Sequence, residues 1–518
     1  MRRLVAAATG LLATIGVGVV VGYLLIFAAS PDRAARAVPA SAAVYLNIYL
    51  QPSAGQKMNL FGLIGRVPGF RDPATLEQKI HDITQRVLGD LGLDYTADVR
   101  PWLGNQVAVA ISPGDAASGG PHLLLLASVR DPVAARAAAP DVIGGEATTF
   151  GPEPYRGIDT MIGETVSFAV LDDLLVVADT RRGLRAALDA DADVAPSLAD
   201  ARAFAEAMRK LPADHLASIY VDLRRVVSLD GDAPVGGYAT AALALVAEPD
   251  GVHLDGDVPF DEAEAGADAG EAFALGADPA QLPGWMPADT RAEVSVFGLA
   301  QSILDLEGQL TADAAFAPAA EALNQLRALA AVGLGINLDR DLLPLFDSEA
   351  AIAVQGLEAS GPTGQLLLRP SDPVDLESRL TRMRNELAER GSSVDTRVVR
   401  GVPITTIEIP EVASLAYGIV DGVVVIGLDA GAVAAAVAAR LDDATLAAVE
   451  RYTAPFALIG THAGNELWVN LSGLLDASPD FIDPGSDFRD ILHQIGELAA
   501  AAAASGDHLK VRSVLTVK

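Results

Sequence analysis

The sequence predicts an α+β protein in which an N-terminal transmembrane helix precedes two tandem homologous α+β units with mainly antiparallel sheets. Three observations lead to this fold class: a long uncharged run near the N-terminus, short apolar runs among segments of helical spacing, and a set of motifs that recurs about 245 residues later. At roughly 100 to 200 residues per domain, the 518 residues leave room for two to four domains with sizeable cores.

The run Leu4–Ala29 carries no charged side chain. As a helix it would be about 39 Å long, more than the roughly 30 Å hydrocarbon core of a bilayer. A signal peptide cleaved near Ala28-Ala29-Ser30 is the alternative, but its apolar stretch would be only about 7 to 15 residues. The length favours an uncleaved anchor within residues 1–30. Because Arg2 and Arg3 precede the run, the positive-inside rule predicts a single-pass membrane protein with a cytoplasmic N-terminus and an extracytoplasmic bulk.

Composition excludes several classes of function. Lys and Arg number 37 against 68 Asp and Glu, a formal net charge of −31, which argues against nucleic acid or anionic headgroups as electrostatic partners. The chain has no cysteine, so thiolate nucleophiles, cysteine metal sites and disulfides are excluded together.

Both periodicities occur within the first half of the chain. Helical spacing predicts helices over Thr75–Leu88 and Leu198–Lys210, and mostly β-branched or apolar runs predict strands. The predicted strands are Tyr45–Leu50, Gln106–Ile111, Leu123–Ser128, Val166–Leu171 and Leu174–Ala178.

Turn and cap signals connect these elements. The segments Leu171–Leu174 and Val420–Val423 have tight-turn chemistry between apolar runs and predict hairpins, hence antiparallel pairing. Asp131-Pro132 and Asp372-Pro373 each offer an N-cap acceptor followed by a proline, which predicts a helix start at both places. The six alanines that end Ile491–Ala504 predict a helix, since alanine has the highest helix propensity.

The chain repeats itself once. Five motifs recur in the same order, at offsets between 241 and 249 residues, which predicts a first unit over 38–260 and a second over 281–518. Residues 261–280 between them are acidic and rich in Ala and Gly, and predict an exposed connector. The matched segments begin at Val38 and Met286, Asp98 and Asp341, Asp131 and Asp372, Leu171 and Val420, and Tyr220 and Trp468.

No local catalytic motif emerges from the sequence. There is no Gly-x-Ser-x-Gly elbow, no Ser-x-x-Lys pair and no Walker A sequence, and no two histidines lie within five residues of each other. We therefore predict no catalytic residue, no cofactor and no metal. Asp189, Asp191 and Asp193 have the alternation that opens a calcium loop, but Val194 and Asp200 stand where such a loop needs glycine and glutamate, so they are a weak calcium candidate.

A string of motifs in the first unit resembles a known family. Gly55 and Gln56 follow Gln51-Pro52-Ser53-Ala54, and Asp98-Val99-Arg100-Pro101-Trp102-Leu103-Gly104 lies further along. The string resembles bacterial domain-of-unknown-function family 3352. The resemblance covers most of the chain beyond the anchor. The resemblance implies a single-pass, membrane-anchored envelope protein with a large outer part, and it brings no established activity. Its motif residues, of unknown role, are Gly55, Gln56, Asp98, Pro101, Trp102 and Gly104.

Together these observations predict a non-enzymatic binding or scaffold module of the cell envelope. Its partner would be an envelope protein or an apolar ligand. One alternative is a carrier that holds an apolar envelope ligand at the junction of the two repeats. The other is a hydrolase that uses Asp or Glu side chains without a recognisable motif.

Overall fold

The computed structural model describes residues 32–67, 94–113, 120–144, 148–228, 237–265, 270, 273–312, 317–358, 361–373, 375–409, 413–477 and 493–518. The predicted anchor Leu4–Ala29 and the predicted helix Thr75–Leu88 lie outside these residues. Of the helices within them, none combines the length and apolar composition needed to cross a bilayer. The chain divides into two compact units, Met1–Pro259 and Phe260–Lys518.

The first unit is an antiparallel sheet with helices on its faces. Its ten described strands lie in the order β10-β9-β8-β1-β2-β3-β7-β6-β5-β4. The strands are β1 (Val44–Tyr49), β2 (Leu103–Ser112), β3 (His122–Val129), β4 (Gly151–Tyr155), β5 (Ile158–Ile162), β6 (Ser167–Val170), β7 (Leu174–Ala178), β8 (Ala217–Asp222), β9 (Thr240–Ala247) and β10 (Gly251–Pro259). The helices are α1 (Ala34–Ala37), α2 (Ala54–Ile64), α3 (Pro132–Gly144), α4 (Arg181–Asp191), α5 (Arg202–Met208) and α6 (Leu223–Ser228), with a π turn at Tyr95–Val99 and a 3₁₀ turn at Leu198–Asp200.

Alternation along these strands gives the sheet two apolar faces. On one face, Tyr45 and Tyr220 pack with Leu184 of α4 and Phe204 of α5. On the other face a second cluster forms beneath α3, and it contains the buried Trp102. Helices thus cover each face of the sheet, so side chains on both sides of the strands are buried.

The second unit has the same class of architecture. Its ten described strands lie in the order β20-β19-β18-β11-β12-β13-β17-β16-β15-β14, which is the first unit's order with ten added to each number. The strands are β11 (Ala292–Phe297), β12 (Glu349–Glu358), β13 (Gly361–Arg369), β14 (Ser393–Val399), β15 (Val402–Ile409), β16 (Ala413–Val420), β17 (Val423–Gly427), β18 (Asn465–Asn470), β19 (Ile495–Ser505) and β20 (His508–Val517). The helices are α7 (Glu262–Ala265), α8 (Leu299–Ala312), α9 (Ala317–Leu329), α10 (Leu376–Glu389), α11 (Ala430–Leu441), α12 (Glu450–Ile459) and α13 (Leu471–Asp476). Shorter π turns cover Ala330–Leu334 and Leu338–Leu342, and 3₁₀ turns cover Leu282–Gly284, Leu343–Phe346 and Leu446–Ala448.

The predicted hairpins are confirmed. Strands β6 and β7 pair antiparallel around Leu171–Leu174, and β16 and β17 pair around Val420–Val423. In the second hairpin Asp421 and Gly422 have φ values of 50° and 79°. Positive φ at both central residues is the geometry of a type I′ turn, which Asp and Gly accept at little steric cost.

One predicted helix start is confirmed and the other is wrong. In the first unit α3 begins at Pro132, and Asp131 Oδ1 accepts the backbone N–H groups of Val133 and Ala134, both at 3.0 Å. In the second unit α10 begins at Leu376, after Asp372-Pro373. There the N-cap position is occupied by Asp375, whose carboxylate pairs with Arg379 one turn on.

The alanine-rich segment is a strand, so the helix predicted over Ile491–Ala504 is wrong. Strand β19 pairs with β18 on one side and β20 on the other, and alternate alanines, Ala499 and Ala501 among them, are buried against the core. Intrinsic helix propensity is worth less than about 1 kcal/mol per residue, and pairing on both edges of the strand outweighs it.

The predicted connector 261–280 is hydrogen-bonded to the second unit over part of its length. It begins with α7, whose Glu262 is exposed. Further on, Gly276 O accepts the N–H of Ala504 and Asp278 O accepts the N–H of Gly464, each at 2.8 Å. The end of the segment is therefore bonded to the second unit.

Candidate functional site

The family motif around Gly55 and Gln56 forms the start of α2. Ser53 Oγ accepts the N–H of Gln56 at 3.1 Å and so caps the helix. The side chain of Gln56 is buried, and its Oε1 accepts the N–H of Ala247 at 2.7 Å. A Cβ added at Gly55 would make only ordinary contacts, the nearest at 3.6 Å from Ser53 Oγ. Gln56 therefore joins α2 to β9.

Asp98 and Trp102 lie in the motif's second part and bond to their own turn. Asp98 Oδ2 accepts the N–H of Asp94 at 2.8 Å. The indole Nε1 of the buried Trp102 donates to the carbonyl oxygen of Asp98 at 2.6 Å. The Asp98 carboxylate is thus used to close the π turn that leads into β2.

Pro101 and Gly104 complete this turn. Pro101 O accepts a hydrogen bond from the Nε–H group of Arg130 at 3.1 Å. A Cβ at Gly104 would lie 2.5 Å from Ser128 Oγ and 2.9 Å from backbone atoms of Ser128. Glycine is required here because β3 passes so close to β2.

The three aspartates of the calcium candidate lie at the end of α4 and just beyond it. Asp189 forms an ion pair with Arg156, and Asp191 forms one with Arg33 Nη1 at 2.6 Å. Asp193 follows with a φ of 53°. Two of the three carboxylates are therefore directed to arginines from different parts of the unit. The calcium site stays a prediction.

A different group brings metal-ligand atoms together. Within the described part of the chain, Glu248, Asp250 and His253 are the one set of three His, Asp or Glu side chains whose ligand atoms all lie within 4.8 Å. His253 is buried, and its Nε2 lies 3.0 Å from Asp250 Oδ1. One imidazole and two carboxylates are donors that divalent transition metals accept. Sequence reasoning missed the group because its spacing matches no known metal motif.

Three glutamates lie in the interior of the second unit. Glu293 on β11, Glu349 on β12 and Glu466 on β18 are 1, 0 and 2% exposed. Their side chains share one face of the sheet, since Ser295, two residues after Glu293, is opposite Glu466, and Phe297 is opposite Glu349. No motif reveals this cluster. The available signal was an acid at an inward position of two otherwise apolar strands.

Glu349 has partners for both carboxylate oxygens. Its Oε1 accepts the N–H groups of Gln281 and Leu282 at 2.8 and 2.9 Å, and its Oε2 pairs with Arg369 Nε at 3.0 Å. Burial raises the pKa of Glu349, while the two N–H groups and Arg369 act in the opposite direction. Glu349 therefore holds the start of the 3₁₀ turn Leu282–Gly284 against β12.

Glu293 and Glu466 are less completely satisfied. Ser295 Oγ donates to Glu293 Oε2, and the hydroxyl of Tyr452 on α12 donates to Glu466 Oε2, each at 3.0 Å. The other oxygen of each carboxyl, Oε1, is buried without a hydrogen-bond partner among the described residues. Burial, and next the charge of Glu466, raises the pKa of Glu293 well above its usual value.

The first unit has neutral side chains at the corresponding register positions. Tyr45, Gln106 and Ser218 occupy the places of Glu293, Glu349 and Glu466 on the equivalent strands. Gln106 Oε1 accepts the N–H groups of Arg33 and Ala34, at 3.1 and 3.4 Å, as Glu349 Oε1 accepts those of Gln281 and Leu282. The shared backbone arrangement therefore does not require acids.

The opposite face of the second sheet carries exposed apolar side chains. Val294 on β11 and Ile352 on β12 are directly opposite each other and are 39 and 52% exposed. Their neighbours in the same row are Leu467 on β18 and Leu366 on β13, both half-buried. We call these four residues the open apolar row. Leu46 and Val109, at the corresponding places in the first unit, are half-buried. They are directly opposite each other, as Val294 and Ile352 are in the second unit.

The fold and these side chains define an α+β protein built on antiparallel sheets. The chain belongs to the family described as a protein of unknown function, DUF3352, whose model matches residues 4–505. The resemblance inferred from the motifs is thus confirmed. No curated protein matches the sequence.

Solved structures offer only a distant likeness. Crystal form III of TP0453 is 14% identical with a TM-score of 0.24, and the match covers 45% of this chain and 81% of that one. Crystal form IV is 15% identical with a TM-score of 0.25, covering 44% of this chain and 81% of that one.

Proposed function

We propose that this chain is a membrane-anchored, extracytoplasmic protein of the cell envelope that acts by binding another envelope protein. The observation that carries the proposal is the open apolar row, in which Val294 and Ile352 lie side by side on adjacent strands with much of their surface in solvent. Removing a Val or Ile side chain from water is worth about 1.5 to 3 kcal/mol, so a complementary apolar partner surface gains from covering them.

A row of apolar side chains across neighbouring strands suits a protein partner better than a small molecule. Small ligands are held in concave sites that bury most of their surface. The central strands β18, β11, β12 and β13 instead present one row of side chains across neighbouring strands. Contact residues on rigid strands also need little ordering on binding.

Site-specific photocrosslinking in the native host tests this proposal. A photoreactive amino acid at position 352 should crosslink one envelope protein, and the charged variant Val294→Asp should abolish the product. The same probe at position 109 in the first unit is the matched control, because Val109 is half-buried at the corresponding place. Identical products at both positions, or none at 352, would contradict the proposal.

The anchored, outward-facing arrangement is part of the same proposal. It rests on the uncharged run Leu4–Ala29 and on the arginines before it. Protease added to intact protoplasts should degrade the bulk of the chain. Degradation only after lysis would show that the orientation is inverted.

A carrier of an apolar envelope ligand is the first alternative. Mass spectrometry of the protein purified from its native host and denatured distinguishes it from the scaffold. A stoichiometric lipid or isoprenoid would favour the carrier. An empty protein would favour the scaffold.

A carboxylate hydrolase is the second alternative, and one observation favours it: the buried, raised-pKa carboxyl of Glu293 beside Glu466. Acid catalysis uses carboxyls held neutral in this way. Hydrolysis of envelope glycans by the full chain that is lost in Glu293→Gln would replace the scaffold proposal with this one.

We also infer that the two units are tandem homologous copies. The identical strand order supports this inference, as do the equivalent roles of Gln106 and Glu349. A further pair of contacts agrees: Pro39 bridges to Ser197 and Pro287 bridges to Thr445, both at the same offset. Two units that shared only a fold class would not be expected to form the same hydrogen bonds at equivalent positions.

A further inference from the structure

The surroundings of Glu293 are acidic or neutral on most sides. Glu466 and Trp468 face it from β18, Glu349 from β12 and Tyr452 from α12. The strongest electrostatic influences on its carboxyl come from Glu466, Ser295, Glu349 and Tyr452, none of which is basic.

The basic groups nearby donate no hydrogen bond to Glu293 in the described part of the chain. Arg369 on β13 pairs with Glu349. His462 lies 3.5 Å from Glu466 Oε1 and is partly exposed. Arg291, just before β11, has a buried Nε without a hydrogen-bond partner among the described residues.

We propose that Glu293 holds a proton inside the second unit, and that loss of this proton loosens the packing of β11, β18 and α12, which makes the unit a pH-sensitive switch. A carboxylate at the place of Glu293 would be buried on the sheet face that also carries Glu466 and Glu349, and its Oε1 would have no donor among the described residues. Ionising a carboxyl in such surroundings has a large cost, which a proton on Glu293 removes.

The first unit shows that this arrangement is not a requirement of the fold. At the places of Glu293 and Glu466 it has Tyr45 and Ser218, which carry no charge at neutral pH. Only the second unit therefore contains the proton-dependent contact.

The direction of the pH effect follows from linkage. Because the folded pKa of Glu293 lies above its usual value of 4.5, the stabilisation is fully present below pH 4.5. It is lost as the pH rises towards the folded pKa. Over that range each proton released on unfolding increases the unfolding equilibrium constant about tenfold per pH unit.

Infrared spectroscopy of the full chain in detergent tests the proton directly. At pH 7 the wild-type protein should show the carbonyl band of a protonated carboxyl group, and Glu293→Gln should lose it. Glu450→Gln, an exposed position on α12, is the control and should keep the band. Absence of the band from the wild type, or its persistence in Glu293→Gln, would overturn the proposal.

Denaturant unfolding followed by tryptophan fluorescence tests the switch. Between pH 5 and pH 8 the unfolding constant of the wild type should rise, and Glu293→Gln should reduce that rise by about tenfold per pH unit over the titrating range. Gln resembles a protonated Glu, so this variant should be at least as stable as the wild type at pH 8. A variant that is less stable at every pH, or that fails to fold, would show that Glu293 is needed as an anion.

Discussion

At Gly104 the backbone of β2 lies close to Ser128 of β3. A Cβ there would overlap both the side chain and the backbone of Ser128, and the backbone cannot turn away. We expect Gly104→Ala to lower the free energy of unfolding by about 1 to 3 kcal/mol through overpacking. Urea unfolding of the full chain in detergent measures the difference.

Gly120→Ala is the matched control for this prediction. A Cβ at Gly120 would meet no atom of the described residues within 4 Å, and this glycine has no positive φ. The control should change stability by less than about 0.5 kcal/mol. An equal loss in both variants would mean that the close approach at Ser128 is not the cause.

Individual residues were predictable where they act locally. The Asp131 cap depends on a two-residue signal, and the structure forms it as expected. The buried glutamates depend on which strands become neighbours, since Glu293 and Glu466 are far apart in the sequence. Because the sequence does not reveal this pairing, the acidic cluster could not be predicted.

At the scale of elements, β19 depends on alanine for its fit against α12. Ala501 points into the core, where a larger side chain has no room. Ala501→Leu should therefore lower the free energy of unfolding by about 1 to 3 kcal/mol. Ala500→Leu, on the opposite face of the same strand, should cost less than half as much. Thermal unfolding of both variants provides the measurement, and equal losses would contradict the assigned faces.

Strand prediction succeeded for β-branched and leucine-rich runs and failed for alanine. The runs that became β1, β3 and β7 combine apolar content with turn signals at their ends. The alanines of β19 also end at a turn signal, Ser505-Gly506, but their local preference is helical. The pairing partners β18 and β20 decide the outcome, and that information is not local.

At the scale of the whole molecule, the division near Pro259 predicts where a protease cuts first. The exposed Glu262 and Glu264 follow β10 directly, and no Lys or Arg lies between Arg225 and Arg291. A glutamate-specific protease should therefore cut the chain at residues 262–264 and yield two fragments, whereas trypsin should leave this stretch uncut. Mass spectrometry of the fragments identifies the sites. A first cut at a glutamate away from residues 262–264 would contradict the prediction.

The overall plan was the most predictable level of this molecule. The α+β class and the antiparallel sheets followed from alternation and hairpin turns, and the family resemblance followed from a handful of motif residues. The location of the open apolar row was not predictable, because the exposure of Val294 and Ile352 depends on which helices cover which rows.

The exchange of Gln106 for Glu349 also has a genetic consequence. Glu349 is opposite Arg369, whereas the residue facing Gln106 is Ser128, whose hydroxyl accepts the Gln106 N–H. Glutamine and glutamate codons differ by one base, but a buried glutamate without its arginine would be strongly destabilising. Among family members, an acid at position 349 should covary with a basic residue at position 369.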